Sequence, residues 1–254
     1  MTTTGVFKLI YIPVVVLCLA LGTPSFSHAV TNEALKISAS NYYYGRGVVQ
    51  DYKRALSLYL KAAEAGDPEA QYIAGGMYFK GLGTQVNYLK AFELIYKAAK
   101  NGKSTVESQK ILGESFLLGR GVPKNYREAR RWFNLAADQG DVEALNELAY
   151  MYFVGNGVAQ DYKRAYDLFL KAARGGLNLA QYNVGIMLYT GSGFDDASLV
   201  DAYAWFSVAS TGGNSQAEQA RQFLETVLSD KQLIAAQEKA NEFYNETKRP
   251  ARSR

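Results

Sequence analysis

The chain has 254 residues, 48% of them hydrophobic, enough to bury a sizeable core. Its formal charge is +4, and it holds one Cys and one His, Cys18 and His28. Both lie in the first thirty positions, so the rest of the chain has no Cys or His nucleophile, base or metal ligand.

In chain order, Lys8 is followed by the uncharged run Leu9–Leu21 and then by Ser27-His28-Ala29. This reads as a signal peptide, residues 1–29, cleaved after Ala29. The run is shorter than the roughly 20 residues that span a bilayer, so no transmembrane segment is expected after cleavage. Cys18 follows Leu17, where a lipoprotein site needs a small residue. Residues 30–254 then carry no Cys, which suits an oxidising compartment without using a disulfide. The expected location is periplasmic or secreted.

The next stretch contains Gln50–Gly66, and Gln160–Gly176 repeats it at 12 of 17 positions. The chain is therefore built from copies of one unit. Gly-x-Gly marks five of them: Gly45/Gly47, Gly81/Gly83, Gly119/Gly121, Gly155/Gly157 and Gly191/Gly193. Asp51, Asn87, Asn125 and Asp161 follow at a fixed distance, each with a Tyr after it, then Ala55, Ala91, Ala129 and Ala165. Each of these copies ends on a Gly: Gly66, Gly102, Gly140 and Gly176. The fifth carries one extra residue and runs through Ser198 to Gly213. Asp, Asn and Ser cap the free amides at a helix start. Gly takes the left-handed conformation that ends a helix. Each unit reads as helix A, tight turn, helix B, stop. The units span approximately 31–66, 67–102, 103–140, 141–176 and 177–213. Two added residues near Gly102–Val106 lengthen one connection, and the turn from Gly193 to Ser198 is longer than its counterparts.

Beyond Gly213 the markers stop. Gln216–Leu228 and a second segment with Leu233, Ala236, Ala240 and Phe243 have helical spacing, and Ser229–Gln232 has the form of a capping box. Residues 214–247 are expected to form a helical cap. Residues 248–254 hold Lys248, Arg249, Arg252 and Arg254 and read as a basic, disordered tail. This tail carries four positive charges and Lys8 a fifth, so the body between them is near neutral, about −1. A nucleic-acid footprint is not supported.

Little in the chain points to catalysis. Gly-x-Gly lies between two helical patterns five times, whereas a dinucleotide loop joins one strand to one helix. No Ser-x-x-Lys pair and no Gly-x-Ser-x-Gly elbow is present. Glu33, Glu69, Glu107 and Glu143 recur in register at the start of helix A, where the exposed amides favour a carboxylate. Trp132 and Trp205 occupy equivalent positions on helix B and read as core.

The set Ala70-Gln71-Tyr72, Gly75, Tyr78, Gly81-x-Gly83, Asn87-Tyr88, Ala91, Ala98-Ala99 and Gly102, with its equivalents, resembles the Sel-one-like repeat (SLR) family, relatives of the tetratricopeptide repeats. The resemblance covers about residues 32–213. It implies an all-α fold, a right-handed superhelical α-solenoid of five helix-turn-helix SLR units with a C-terminal helical cap. It also implies that helix A lines a concave groove. Counted from the Gly75 equivalent, the positions three before and one, four and five after are expected to face it. Within that set the candidate partner-binding residues are Tyr43, Tyr72, Phe79, Lys110, Glu114, Asn146, Tyr150, Phe153, Tyr182 and Tyr189. The ladder Tyr43, Phe79, Leu117, Phe153, Tyr189 reads equally as packing between repeats. The family implies a non-enzymatic scaffold that binds a protein or peptide, in envelope or host interaction, with no cofactor and no metal. The alternative is a cell-wall- or β-lactam-directed enzyme, or a glycan binder, of SLR type; the enzymes of that kind resemble chains with paired Cys, which this one lacks.

Overall fold

The computed structural model describes residues 24–248. Among these residues all regular structure is α-helical, in twelve helices. Helices α1 (Pro24–Tyr44), α3 (Pro68–Lys80), α5 (Val106–Leu118), α7 (Val142–Val154) and α9 (Asn178–Thr190) are the A helices. Their B partners are α2 (Tyr52–Glu64), α4 (Tyr88–Lys100), α6 (Tyr126–Ala137), α8 (Tyr162–Arg174) and α10 (Leu199–Thr211). α11 (Ser215–Val227) and α12 (Asp230–Lys248) follow.

The ends of these helices are set by the repeated residues. Asp51, Asn87, Asn125, Asp161 and Ser198 each accept a hydrogen bond from the amide three residues on, and so start the five B helices. Asp67, Thr105 and Asp141 do the same for A helices, whereas α9 starts at Leu177 with no side-chain cap. Gly81, Gly119, Gly155 and Gly191 end A helices at φ between 69° and 79°. An L side chain is strained there, which is why the column is glycine.

At Gly83, Gly157 and Gly193 the second glycine of the turn has another reason to be glycine. A Cβ on Gly157 would lie 2.4 Å from Tyr126 Cβ, and one on Gly83 would lie 2.4 Å from the Tyr52 backbone. The turn of one repeat thus seats on the start of helix B in the repeat before it. Gly47, in the first repeat, has nothing within 4 Å of such a Cβ.

The chain divides into two compact units, residues 1–103 and 104–254. In the first, α1 to α4 pack in sequence around Ala55, Tyr59, Ala62, Ala74 and Met77. In the second, α5 to α11 pack in sequence, with Phe169, Val184, Met187, Trp205 and Phe206 central to the core of α7 to α12. α12 turns back to lie on α10 and α8 instead of pairing with α11. Phe243 stacks on Trp205 with ring centroids 4.7 Å apart, and Lys239–Asp201 and Arg174–Glu246 ion pairs flank it.

α11 occupies the place of a sixth A helix, and its composition shows why no B helix follows. Gln222 stands where Gly185 lets Phe206 approach, and Arg221 stands where Val184 is buried. Arg221 bonds both Glu218 and Glu225. With Arg221 foremost and Ser210 and Gln222 as further donors, the Glu218 carboxyl is held down at about 2. A polar outer face of this kind closes a repeat array.

α1 begins at Pro24, seven residues before the expected start of the first repeat. The Ser229–Gln232 capping box is half formed: Gln232 Oε1 accepts from the Ser229 amide, but the Ser229 hydroxyl donates to the same oxygen instead of accepting from the backbone. The apolar run Leu9–Leu21, Cys18 and the residues 249–254 lie outside the described residues.

Candidate functional site

The A helices present four columns of side chains, and the structure separates their roles. In the column three before the Gly75 equivalent, Lys36, Lys110 and Asn146 make contacts between repeats. Lys110 reaches Glu107 at 3.3 Å on its own helix, and Asp141 at 3.3 Å and Glu143 at the start of α7. Lys36 repeats the arrangement with Glu33 at 2.9 Å, Asp67 at 3.2 Å and Glu69 at 3.1 Å. Burial disfavours both ammonium groups, but the surrounding carboxylates outweigh it and hold them well above the ordinary lysine range. The recurring glutamates therefore serve these clamps in addition to the helix start.

Asn146, expected at an exposed position, is only 4% exposed. Its Oδ1 accepts from Asn183 Nδ2 at 3.0 Å, on the A helix of the next repeat. A short polar side chain at this height meets its neighbour before it meets solvent. Tyr182 is half-buried with its ring 5.7 Å from Phe206. Tyr72 is half-buried and lines a recess of about 230 Å³ with Tyr43, Tyr44, Tyr59 and Lys80.

The aromatic ladder packs inside its own repeats. Tyr43, Phe79 and Phe153 lie edge-on to Tyr52, Tyr88 and Tyr162 at 5.2, 5.5 and 5.3 Å, the tyrosines that open the following B helices. Burial pushes the Tyr43 phenol above its ordinary value. In the fifth repeat Leu199 stands in place of that tyrosine, and Tyr189 instead faces Phe223 of α11 at 6.5 Å.

The column five after the Gly75 equivalent is exposed throughout, and the column one after it is exposed at Tyr150 and Phe223 but half-buried at Ser40, Gly76, Glu114 and Ile186. In the second unit they contribute Leu118, Tyr150, Val154, Phe223 and Val227, all exposed; Tyr150 is 50%, Phe223 53% and Val227 50% exposed. With Tyr189 they form a run of apolar and aromatic side chains over α5, α7, α9 and α11. Phe223 and Val227 were not among the candidates, because the repeat markers end at Gly213. A 37-residue step from Ile186 and Thr190 would have found them.

Beside this run lies a recess of about 250 Å³ lined by Lys110, Glu114, Asn146, Glu147, Leu177 and Leu179, among others. Burial pushes the Glu147 carboxyl above the usual carboxylate range, and the Glu114 charge adds to this. Glu114 is likewise raised by burial, against the pull of Arg120 at 3.8 Å. Glu147 is a third residue that sequence reasoning missed. Among the described residues no group of three or more His, Cys, Asp or Glu side chains is placed to hold a metal ion. No helix among them is long and apolar enough to cross a membrane. Trp132 and Trp205 are buried and present no open ring face.

Helix pairs repeated five times define an all-α repeat protein of the α-solenoid class. The Sel1 repeat model matches residues 35–67, 68–103, 106–141, 142–177 and 178–214. The chain belongs to the Sel1 repeat family. No curated protein matches it. Among solved structures it is similar to a protective antigen present in uropathogenic Escherichia coli strains displaying an SLR fold, with 31% identity and a TM-score of 0.69 over 83% of this chain. The chain spans 46% of that antigen. It is also similar to a Sel1 repeat protein from Oxalobacter formigenes, with 30% identity and a TM-score of 0.66 over 80% of this chain and 81% of the other.

Proposed function

We propose that the protein is an exported, non-catalytic scaffold that binds a protein or peptide segment on the A-helix face of residues 104–228. The observation that carries this reading is the exposed run from Leu118 through Tyr150 and Val154 to Phe223 and Val227. Aligned apolar exposure on successive helices is what a recognition surface needs, and tyrosine adds a hydroxyl at low entropic cost. The similarity to an antigen displaying an SLR fold favours a surface-exposed or secreted role.

The test is cross-linking capture from an envelope extract with wild type and a Tyr150→Ser, Phe223→Ser double variant. Both residues are half exposed, so the variant keeps its fold; Tyr182, packed on Phe206, would not serve. A partner held by wild type and lost from the variant is the expected result. A partner held equally by both overturns the assignment of the surface. Fractionation with N-terminal sequencing should find the protein outside the cytoplasm, beginning at Val30.

Glu114 and Glu147 favour a second reading, carboxylate chemistry on a cell-wall substrate. Turnover by wild type that is lost in both Glu114→Gln and Glu147→Gln would replace the scaffold with an enzyme.

A further inference from the structure

The recess beside the exposed run is lined from α5, α6, α7 and the start of α9. Phe133, Leu177 and Leu179 give it apolar walls, and Leu179 is 46% exposed at its edge. Glu114 and Glu147 are its half-buried carboxylates. Glu147 precedes Tyr150 by three residues on α7, a spacing that puts both side chains on one face of the helix. Glu114 stands in the Tyr150 column one repeat earlier. The carboxylates and the aromatic run thus belong to one surface.

The charge of that surface has a definite sign. Lys110 lines the recess, but Glu107, Asp141 and Glu143 surround it, which is a surplus of two negative charges. Glu114 and Glu147 add two, and Arg120 at 3.8 Å from Glu114 removes one, which leaves −3. The N-terminal ends of α5, α7 and α9 act the other way. At roughly half a positive charge each they bring the balance to about −1.5 and do not reverse it. The influences on the Glu147 carboxyl are burial, Glu114, Asn146 and Glu143, none of them basic. Burial disfavours its charge, so a cation brought to it meets a carboxylate without a basic partner of its own.

An apolar wall beside a carboxylate pair suits a side chain with an apolar stem and a charged head, which is the build of lysine and arginine. We propose that the segment bound on the A-helix face of residues 104–228 is basic and apolar together. Its lysine or arginine lays the stem against Leu177 and Leu179 and brings the cation to Glu114 and Glu147, and bulky apolar neighbours cover Tyr150 and Phe223. This rests on the reading of that face as a binding surface, and adds the chemistry of the partner. Glu114 and Glu147 serve here as binding groups. They also set which partners are refused, because an acidic segment on the same apolar run would meet like charge.

The test is selection of a random-peptide phage library on the purified full chain, followed by titration calorimetry of a selected peptide. The expected sequences hold a lysine or arginine within a few positions of large apolar or aromatic residues. Exchanging that basic residue for norleucine or citrulline should weaken binding to wild type about tenfold. The same exchange should matter little on a Glu114→Gln, Glu147→Gln double variant, whose substitutions keep side-chain shape and with it the fold. The Tyr150→Ser, Phe223→Ser variant should lose the peptide altogether. Peptides that need Tyr150 and Phe223 but hold no basic residue overturn the proposal and leave the surface standing. So do peptides whose basic residue counts equally on wild type and on the Gln variant. Peptides that bind the Ser variant as well as wild type overturn the surface and the proposal with it. A selection that enriches no sequence on wild type over the Ser variant does the same.

Discussion

A side chain on a repeated helix is used according to what stands opposite it in the next copy. Lys110 and Tyr72 occupy the same height on helix A, yet one is a clamp and the other lines a recess. Glu147 shows how such placement perturbs chemistry. Its carboxyl is raised by burial, so the charged form is disfavoured in the folded chain. The sign follows: the folded state loses stability as pH rises from the ordinary carboxylate value through the higher folded one. Glu147→Gln should raise the urea midpoint at pH 7 and leave it unchanged near about pH 3.5, where both forms are protonated. A gain of equal size at both pH values would refer the effect to packing instead.

At the scale of the element, the start of an A helix carries two tasks. Asp141 caps α7 by accepting from the Ala144 amide at 2.8 Å, and it also faces Lys110 at 3.3 Å. Asp161 caps α8 and has no such lysine. Loss of a cap costs about 1 kcal/mol, so Asp161→Ala is expected near that figure and Asp141→Ala above it. A double-mutant cycle of Asp141→Ala with Lys110→Met should return a coupling of about 0.5–1 kcal/mol, read by chemical denaturation. Lys110 is raised above 10.5, so its contribution is complete below that pH and fades only as pH climbs past the folded value. Additive single effects would mean that the lysine and the cap act separately.

For the molecule as a whole, the order of helices was legible in the spacing of Gly, Asx and Ala. These residues act locally: a cap or a left-handed turn needs only its own few neighbours. The surface was less legible. Asn146 was placed at an exposed height, but its neighbour Asn183 is 37 residues away and belongs to another copy. Phe223 was missed because α11 keeps the A-helix register while dropping the glycines that announce it. The course of α12 had no local signal, since it follows from Trp205 and Phe243 meeting across two helices. Removing α12 by ending the chain at Leu228 takes away the buried Ala236 and uncovers Trp205, on which Phe243 stacks, and should cost roughly 3 kcal/mol or more of stability in the second unit. An unchanged denaturation midpoint would show that α12 is an ornament of the fold and not part of its core.

The seating of a turn glycine on the tyrosine of the preceding copy bears on how such a gene can change. Tyr52 receives Gly83, Tyr126 receives Gly157, and Tyr162 receives Gly193. Loss of residues 142–177 as a block would bring Gly193 to Tyr126 with the same glycine-on-tyrosine seat restored. Loss of one residue fewer or more would leave a tyrosine with no glycine to meet it. Inheritance therefore tolerates the gain or loss of whole copies far better than small insertions, and length in this chain is counted in repeats.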